Sequence, residues 1–428
     1  ASDGVNTDFL GSSVSLNAEG YILAVGAPGN DAGCSDCGAV YVYERVDSKW
    51  SDTSTYIAKL TTSDGEYGDG LGRAIALDAD GCTLAAGAPW NDSICSDCGA
   101  VYLFKRPYEG WGTATQDVKL TASDATEAED VFLGNRLAFS GDGTTLAAGV
   151  PHYGWSRGGV YLYTRPAEGW VTTIETAKLT VVDSEELDFL GLSVALSADG
   201  RTLVAGAPGG SPSGVGVAYL YERPDEGWMT ATEDAKLTAS DAWDNDNLGR
   251  SVALSADGIT VAAGALHNDA GGDKRGAAYL YTRPSAGWPG SAVFSAKLTA
   301  SDGQNNDFLG WSVALSADGS TLAVGAPYHN LAGDNRGAVY VYARPPAGWT
   351  TATQSAKLTA SDGEDNDFLG RSVALSADGG TLAAGAPYHN AGGDNRGAVY
   401  VFVRPLDGWA TDTEDAKLTA KGSVDGDA

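Results

Sequence analysis

Three groups of side chains in this sequence could do chemistry: two C-x-x-C pairs, a set of loop aspartates, and four histidines. Cys34 with Cys37, and Cys95 with Cys98, could supply a four-cysteine zinc site, remain free thiols, or close as two local disulfides. Both pairs fall in loops of similar sequence, and in an exported protein disulfides are the expected state, so two local bridges are expected. Cys82 is left over and reads as a small, buried or partly buried side chain.

The aspartates gather in three short polar loops: Asp241, Asp244 and Asp246; Asp302 and Asp307; Asp362, Asp365 and Asp367. Carboxylates and carbonyls at this spacing could surround Ca2+, a hard cation that needs several converging oxygens. The same residues could instead cap their own turns. His152, His267, His329 and His389 all read as one repeat position, just after Gly-Ala-Pro or its variant. A zinc ion needs its ligands about 2 Å away, and equivalent positions in separate repeats do not converge, so packing beside residues such as Tyr328 and Tyr388 is expected. Asn91-Asp92-Ser93 forms an N-glycosylation sequon in what reads as an exposed loop. There is no G-x-S-x-G elbow, H-E-x-x-H pair or phosphate loop. No enzyme activity is expected.

The elements that position these residues come from a repeat. Leu-Gly recurs at Leu10, Leu71, Leu133, Leu190, Leu248, Leu309 and Leu369, at spacings of 57 to 62 residues. Each copy continues in a fixed order, as in Ser372-Val-Ala-Leu, Ser376-Ala-Asp-Gly, Thr381-Leu-Ala-Ala-Gly-Ala-Pro, Ala398-Val-Tyr-Val-Phe, Arg404-Pro-Leu-Asp-Gly-Trp and Ala416-Lys-Leu-Thr. Short apolar or alternating runs bounded by Gly, Asp and Pro are strand signals. Four such runs per copy predict an all-β fold, a seven-bladed β-propeller with four antiparallel strands per blade, over residues 1–420. A solenoid is the alternative, but atypical polar capping repeats are missing at both ends. Residues 421–428 read as the start of a linker or tail. The sequence leaves open whether Lys417-Leu418-Thr419 is the outer strand of its own blade or a strand that latches the first.

Because connections in an antiparallel meander alternate between the two ends of the strands, every loop is assigned a face. One face collects the long variable loops, before Leu-Gly and after Gly-Ala-Pro, and Trp90, Trp155, Trp243, Tyr328, His329, Tyr388 and His389 are its candidate ligand-contacting residues. The other face carries the Ser-Ala-Asp-Gly turns and a tryptophan in every copy, from Trp50 to Trp409, expected to pack at the blade edges.

A net charge of −29, from 56 acidic and 27 basic side chains, disfavours nucleic acid and anionic membranes as partners. No apolar run is long enough for a membrane-spanning helix.

The phrases Phe-Leu-Gly, Ser-Val-Ala-Leu and Gly-Ala-Pro (Gly26-Ala27-Pro28, Gly87-Ala88-Pro89, Gly206-Ala207-Pro208, Gly325-Ala326-Pro327 and Gly385-Ala386-Pro387) resemble FG-GAP repeats, the units of the integrin α-subunit propeller. Gly149-Val150-Pro151 and Gly264-Ala265-Leu266 are degenerate copies. Many blades of that family resemble a D-x-D-x-D-G calcium loop between their first two strands. Here that connection is only a tight Ser-Ala-Asp-Gly turn, so the resemblance does not carry calcium to it. The resemblance implies a non-enzymatic binding or structural module at the cell surface or outside the cell, engaging a protein or glycan through its loop face, within a larger protein or assembly. The alternative is a secreted polysaccharide hydrolase or lyase using Trp90, Trp155 and Trp243 with nearby carboxylates.

Overall fold

The computed structural model describes residues 7–46, 49–53, 55–125, 131–210, 214–269, 271–330, 334–390 and 395–420. The tail 421–428 lies outside them. Blade one shows the plan. Ser13–Leu16, Ile22–Ala27, Ala39–Glu44 and Ala58–Thr61 form an antiparallel meander from the axis outward. Ile22–Ala27 is buried throughout because both its faces are packed against other blades, which is why it reads as a continuous apolar run. The outer strand alternates buried with half-buried residues, as its Ala-Lys-Leu-Thr pattern requires.

Seven such blades close into a ring. Seven hydrophobic clusters hold it, each shared by two adjacent blades, and one joins Leu23, Val25 and Tyr43 to Ala383, Val401 and Leu418 across the seam between first and last. The turns between the two innermost strands are bonded head to tail. Ala18 N–H donates to Ala79 O, Ala79 to Gly141, Gly141 to Ala198, Ala198 to Ala256, Ala256 to Ala317, Ala317 to Ala377, and Ala377 back to Ala18. A chain of donors that returns to its first member exists only in a closed ring.

The two signature glycines of the repeat meet across each blade interface. A Cβ on Gly325 would overlap the carbonyl oxygen of Gly370 in the next blade, and Gly370 itself sits at φ +88°, where a side chain is strained. Gly385 meets Gly11 in the same way at the seam, where Ser372 Oγ also donates to Gly11 O at 2.8 Å.

Six of the seven sheets carry a fifth strand that the four-strand expectation omits. A two- or three-residue strap from the following blade pairs in parallel with the outer strand, as Ala114–Thr115 does with Leu60 and Thr61 of Ala58–Thr61. The seventh sheet receives the single residue Thr53, bridged to Leu418, while Asp52 Oδ1 accepts from Lys417 N–H at 2.8 Å. Ala416–Leu418 pairs with Ala398–Val403, so it is the outer strand of its own blade. The ring is thus latched by a strap from blade one.

Candidate binding site at the mouth of the central channel

The residue after each Leu-Gly leads into the innermost strand, and ring closure brings all seven such positions around the axis. They are Ser12, Arg73, Asn135, Leu192, Arg250, Trp311 and Arg371, with Arg136 one step further along blade three. Together with the valines and leucine deeper in the same strands, residues at this level line an axial cavity of about 250 Å3. The guanidinium carbon of Arg250 lies 4.8 Å from the Trp311 ring centroid, and that of Arg371 lies 5.1 Å from it. Arg371 also stands 5.7 Å from the Tyr388 ring. Arg136 Nη1 donates to Asn135 O at 2.7 Å and to its side-chain oxygen at 3.0 Å.

Four arginines therefore gather at one end of a strongly acidic molecule. Burial, and then repulsion from neighbouring arginines, push three of the protonation equilibria down: Arg73 below its ordinary value, Arg136 well below, and Arg250 to about 10.

A collar of rings surrounds this mouth. Tyr328 sits between Phe308 and Phe368 at 4.9 and 4.8 Å, Tyr388 between Phe368 and Phe9 at 5.2 Å each, and His152 between Phe132 and Phe189 at 5.0 and 5.6 Å. His267 meets Phe308 at 5.3 Å. In blade two Gly70 replaces the phenylalanine, and the Trp90 ring occupies the space a side chain there would need. Phe9, Phe308 and Phe368 are held at φ 55–57°, a left-handed conformation that is costly for an aromatic residue and persists only where its surroundings over-determine it.

Behind the collar, each loop is pinned to its blade by a repeated network. Lys297, Lys357 and Lys417 of the outer strands pair with Asp241, Asp302 and Asp362, which also accept from the hydroxyls of Tyr279, Tyr340 and Tyr400. Burial raises the Asp302 and Asp362 carboxyls, but the lysine and tyrosine bonds outweigh it and hold both below the usual range. The last aspartate of each loop caps the turn, with Asp246, Asp307 and Asp367 accepting from the N–H three residues earlier. Burial raises Asp246 despite its bonds from Trp243 N–H and Asn268. Asp365 pairs with Arg336 at 3.2 Å, and Asp244 is exposed. Among the described residues, no three His, Cys, Asp or Glu side chains converge on a point where a metal ion could sit.

The histidines divide between two positions, where the sequence reading placed them at one. His152 and His267 stand in the collar, whereas His329 and His389 follow the collar tyrosines and are buried. His329 Nδ1 meets Asp307 at 2.8 Å and Nε2 meets Lys357 at 2.7 Å. An ammonium only donates, so Nε2 accepts and Nδ1–H donates to the carboxylate, fixing the neutral tautomer. Neither His329 nor His389 can contact a ligand at the surface. Asn30, Asn91 and Asn268 occupy the corresponding position in other blades, and Asn91 is 2% exposed, its amide donating to Asp69 at 2.8 Å. The expectation of an exposed glycosylation site at Asn91 therefore fails, because its amide is a structural donor.

Trp155 and Trp243 are exposed, 77% and 74%, on blades three and five, and no ring contact among the described residues joins them to Trp90. Cys34 and Cys37 pair with Cα atoms 5.5 Å apart, and Cys95 with Cys98 at 5.4 Å. Cys82 is exposed, contrary to expectation, because it follows the Asp-Gly turn at the variable position held elsewhere by Arg201 and Ser320. On the far face, the indole N–H groups of Trp50, Trp111, Trp228, Trp349 and Trp409 donate to the glycine carbonyl of their own blade's turn.

The axial arginines and Trp311 were missed by the sequence reading. For Arg73, Arg250, Arg371 and Trp311 the signal was the variability of the one position following an otherwise constant Leu-Gly, and for Arg136 an arginine where other copies have Ser or Ala.

A family model described as FG-GAP repeat matches residues 1–43, 55–104, 173–221, 231–281, 293–342 and 352–402. The three inner strands of blade three, with Gly149-Val150-Pro151, lie outside those segments; there Val131 stands where other loops place their capping aspartate. No curated protein matches the chain significantly. No helix among the described residues is long and apolar enough to cross a membrane.

Proposed function

The chain belongs to the FG-GAP repeat family, and from that premise we propose that it is a non-enzymatic binding module of the cell surface or extracellular space, engaging a protein or glycan through the face around the channel mouth. A binding or structural module is what the FG-GAP propeller fold itself suggests. The observation that carries the finer reading is the contrast between the two faces. Five far-face tryptophans donate to their own turns, whereas the near face displays partly exposed rings and arginines gathered around one ring on a rigid ring of blades. Recognition residues gather on loops held by rigid scaffolds, and aromatic side chains with arginine dominate binding energy in such surfaces.

An enzymatic reading needs two carboxylates facing a shared cleft, one of them raised. The raised loop carboxyls Asp69, Asp188 and Asp246 lie in separate blades, each accepting from the N–H three residues earlier. That arrangement favours binding over hydrolysis. Screening the purified protein against arrays of extracellular glycans and proteins tests the reading. Saturable retention of one class without product release is expected, and turnover of a polysaccharide would overturn it.

A further inference from the structure

We propose that the mouth of the central channel is an oxyanion site, in which Arg73, Arg136, Arg250 and Arg371 take a compact ligand carrying two or more negative charges. The inference deepens the binding reading above and rests on it only for the ligand's biological setting.

Clustering around one half-buried cavity, with no carboxylate among the described residues beside it, sets these four residues apart. In a chain of net charge −29, the outer-strand lysines are paired, as are Arg201 with Asp225, Arg283 with Glu222 and Arg336 with Asp365. None of the four axial arginines has a carboxylate within ion-pair distance among the described residues. Gathering four like charges in a partly desolvated cavity is unfavourable, and such placements mark functional sites more often than structural ones.

The geometry presents donors to an incoming anion. Arg250 and Arg371, from the blades on either side of Trp311, both lie close to its ring, 4.8 and 5.1 Å from the centroid. A guanidinium attracted to a ring keeps its N–H donors, the fork that carboxylate, sulfate and phosphate accept from. Arg136 is held by both oxygens of Asn135. The donors are preorganised before a ligand arrives.

The cavity limits the ligand's size. Its volume of about 250 Å3 is smaller than the roughly 300–1,000 Å3 typical of drug-sized ligands. The acidic bulk of the chain repels a long polyanion draped over the face, so only a ligand with its charges concentrated near the axis gains. Sulfate, phosphate and small polycarboxylates share that chemistry, whether free or pendant on a larger molecule.

The test is thermal unfolding at constant ionic strength, with sodium chloride exchanged for sulfate, phosphate, citrate or a monosaccharide sulfate. At least one anion is expected to raise Tm saturably, with apparent affinity weakened tenfold or more in the Arg73→Gln/Arg371→Gln variant and unchanged in Arg201→Gln. A preference for the sugar sulfate over inorganic sulfate identifies the pendant source, and equal effects the free one. Shifts that follow ionic strength alone, or that persist in the double variant, overturn the proposal. Should that variant not fold, phenylglyoxal modification of the wild type decides: the anion must slow labelling of Arg73, Arg250 and Arg371 at least threefold relative to Arg201, and equal rates overturn the site. No anion effect alongside capture of a partner removes the site and leaves the binding reading. An arginine-dependent effect with no partner supports the site and leaves the binding reading to fall alone.

Discussion

Arg371 lies with its guanidinium carbon 5.1 Å from the Trp311 ring centroid, and Arg250, two blades away from Arg371, lies 4.8 Å from the same ring. Two like charges share one aromatic platform at the axis of an acidic disc. This costs stability in the unliganded protein, and the cost is greatest where burial is deepest, at Arg136. Arg136→Gln is therefore expected to raise the anion-free unfolding free energy by about 1 kcal/mol, measured by urea denaturation in chloride buffer. A loss of stability would show that the arginine is a structural donor to Asn135 instead.

The paired glycines make a sharper prediction. Gly325→Ala forces a methyl group into the Gly370 carbonyl and is expected to cost about 3 kcal/mol or more. Gly290→Ala, with nothing within 4 Å of the added carbon, is expected to change stability by less than about 0.5 kcal/mol. Chemical denaturation of the two variants side by side checks the contrast.

His329 stands where Asn30, Asn91 and Asn268 stand in other blades, each donating to a buried aspartate. His329→Asn keeps a donor for Asp307 and is expected to cost under about 1 kcal/mol, whereas His329→Leu strands a buried acceptor and costs about 2–3 kcal/mol. Equal losses would mean that volume, not the hydrogen bond, is what the site needs.

Asp78 replaces the serine that caps the tight turn elsewhere, accepting from Cys82 and Thr83 N–H at 2.8 and 2.9 Å. Burial outweighs those bonds and pushes its carboxyl up to about 6. A carboxyl raised on folding contributes stability that is fully present below its unfolded value near 4 and is lost as pH rises through about 6. Asp78→Ser is expected to remove that loss, so the variant gains on the wild type between pH 4 and pH 8, by about 1 kcal/mol. An unchanged difference across that window, read from melting curves, would contradict the assignment.

The loop aspartates are expected to act as caps and lysine partners. Adding calcium and then a chelator should move Tm by less than about 1 °C. A large chelator-dependent fall with bound calcium in metal analysis would return these loops to the calcium reading.

The blade count, strand order and face of each loop could be read from the sequence because the repeat writes its signals seven times: Leu-Gly on one side of a blade interface and Gly-Ala-Pro or its variant on the other. The straps could not be read, since Ala114–Thr115 is too short to show a period. The partners of Asp302 and Asp362 were hidden because Lys357 and Lys417 lie 55 residues further on, in an outer strand that looks regular by itself. Asn91 looked exposed because its loop is polar, yet the polarity serves Asp69 behind it. The axial site was invisible for a geometric reason. Arg73 and Arg371 are far apart in the chain, and only ring closure makes them neighbours.

The central claim, that the channel-mouth face is the binding surface, is tested most directly by comparing retention on the glycan and protein arrays of wild type, Trp311→Ala/Tyr328→Ala, and Leu406→Ser, which alters a fully exposed residue of the far face. All three must first show cooperative melting. The account predicts at least tenfold weaker retention for the double variant and none lost for Leu406→Ser. Undiminished binding by the double variant, or loss confined to Leu406→Ser, would contradict it.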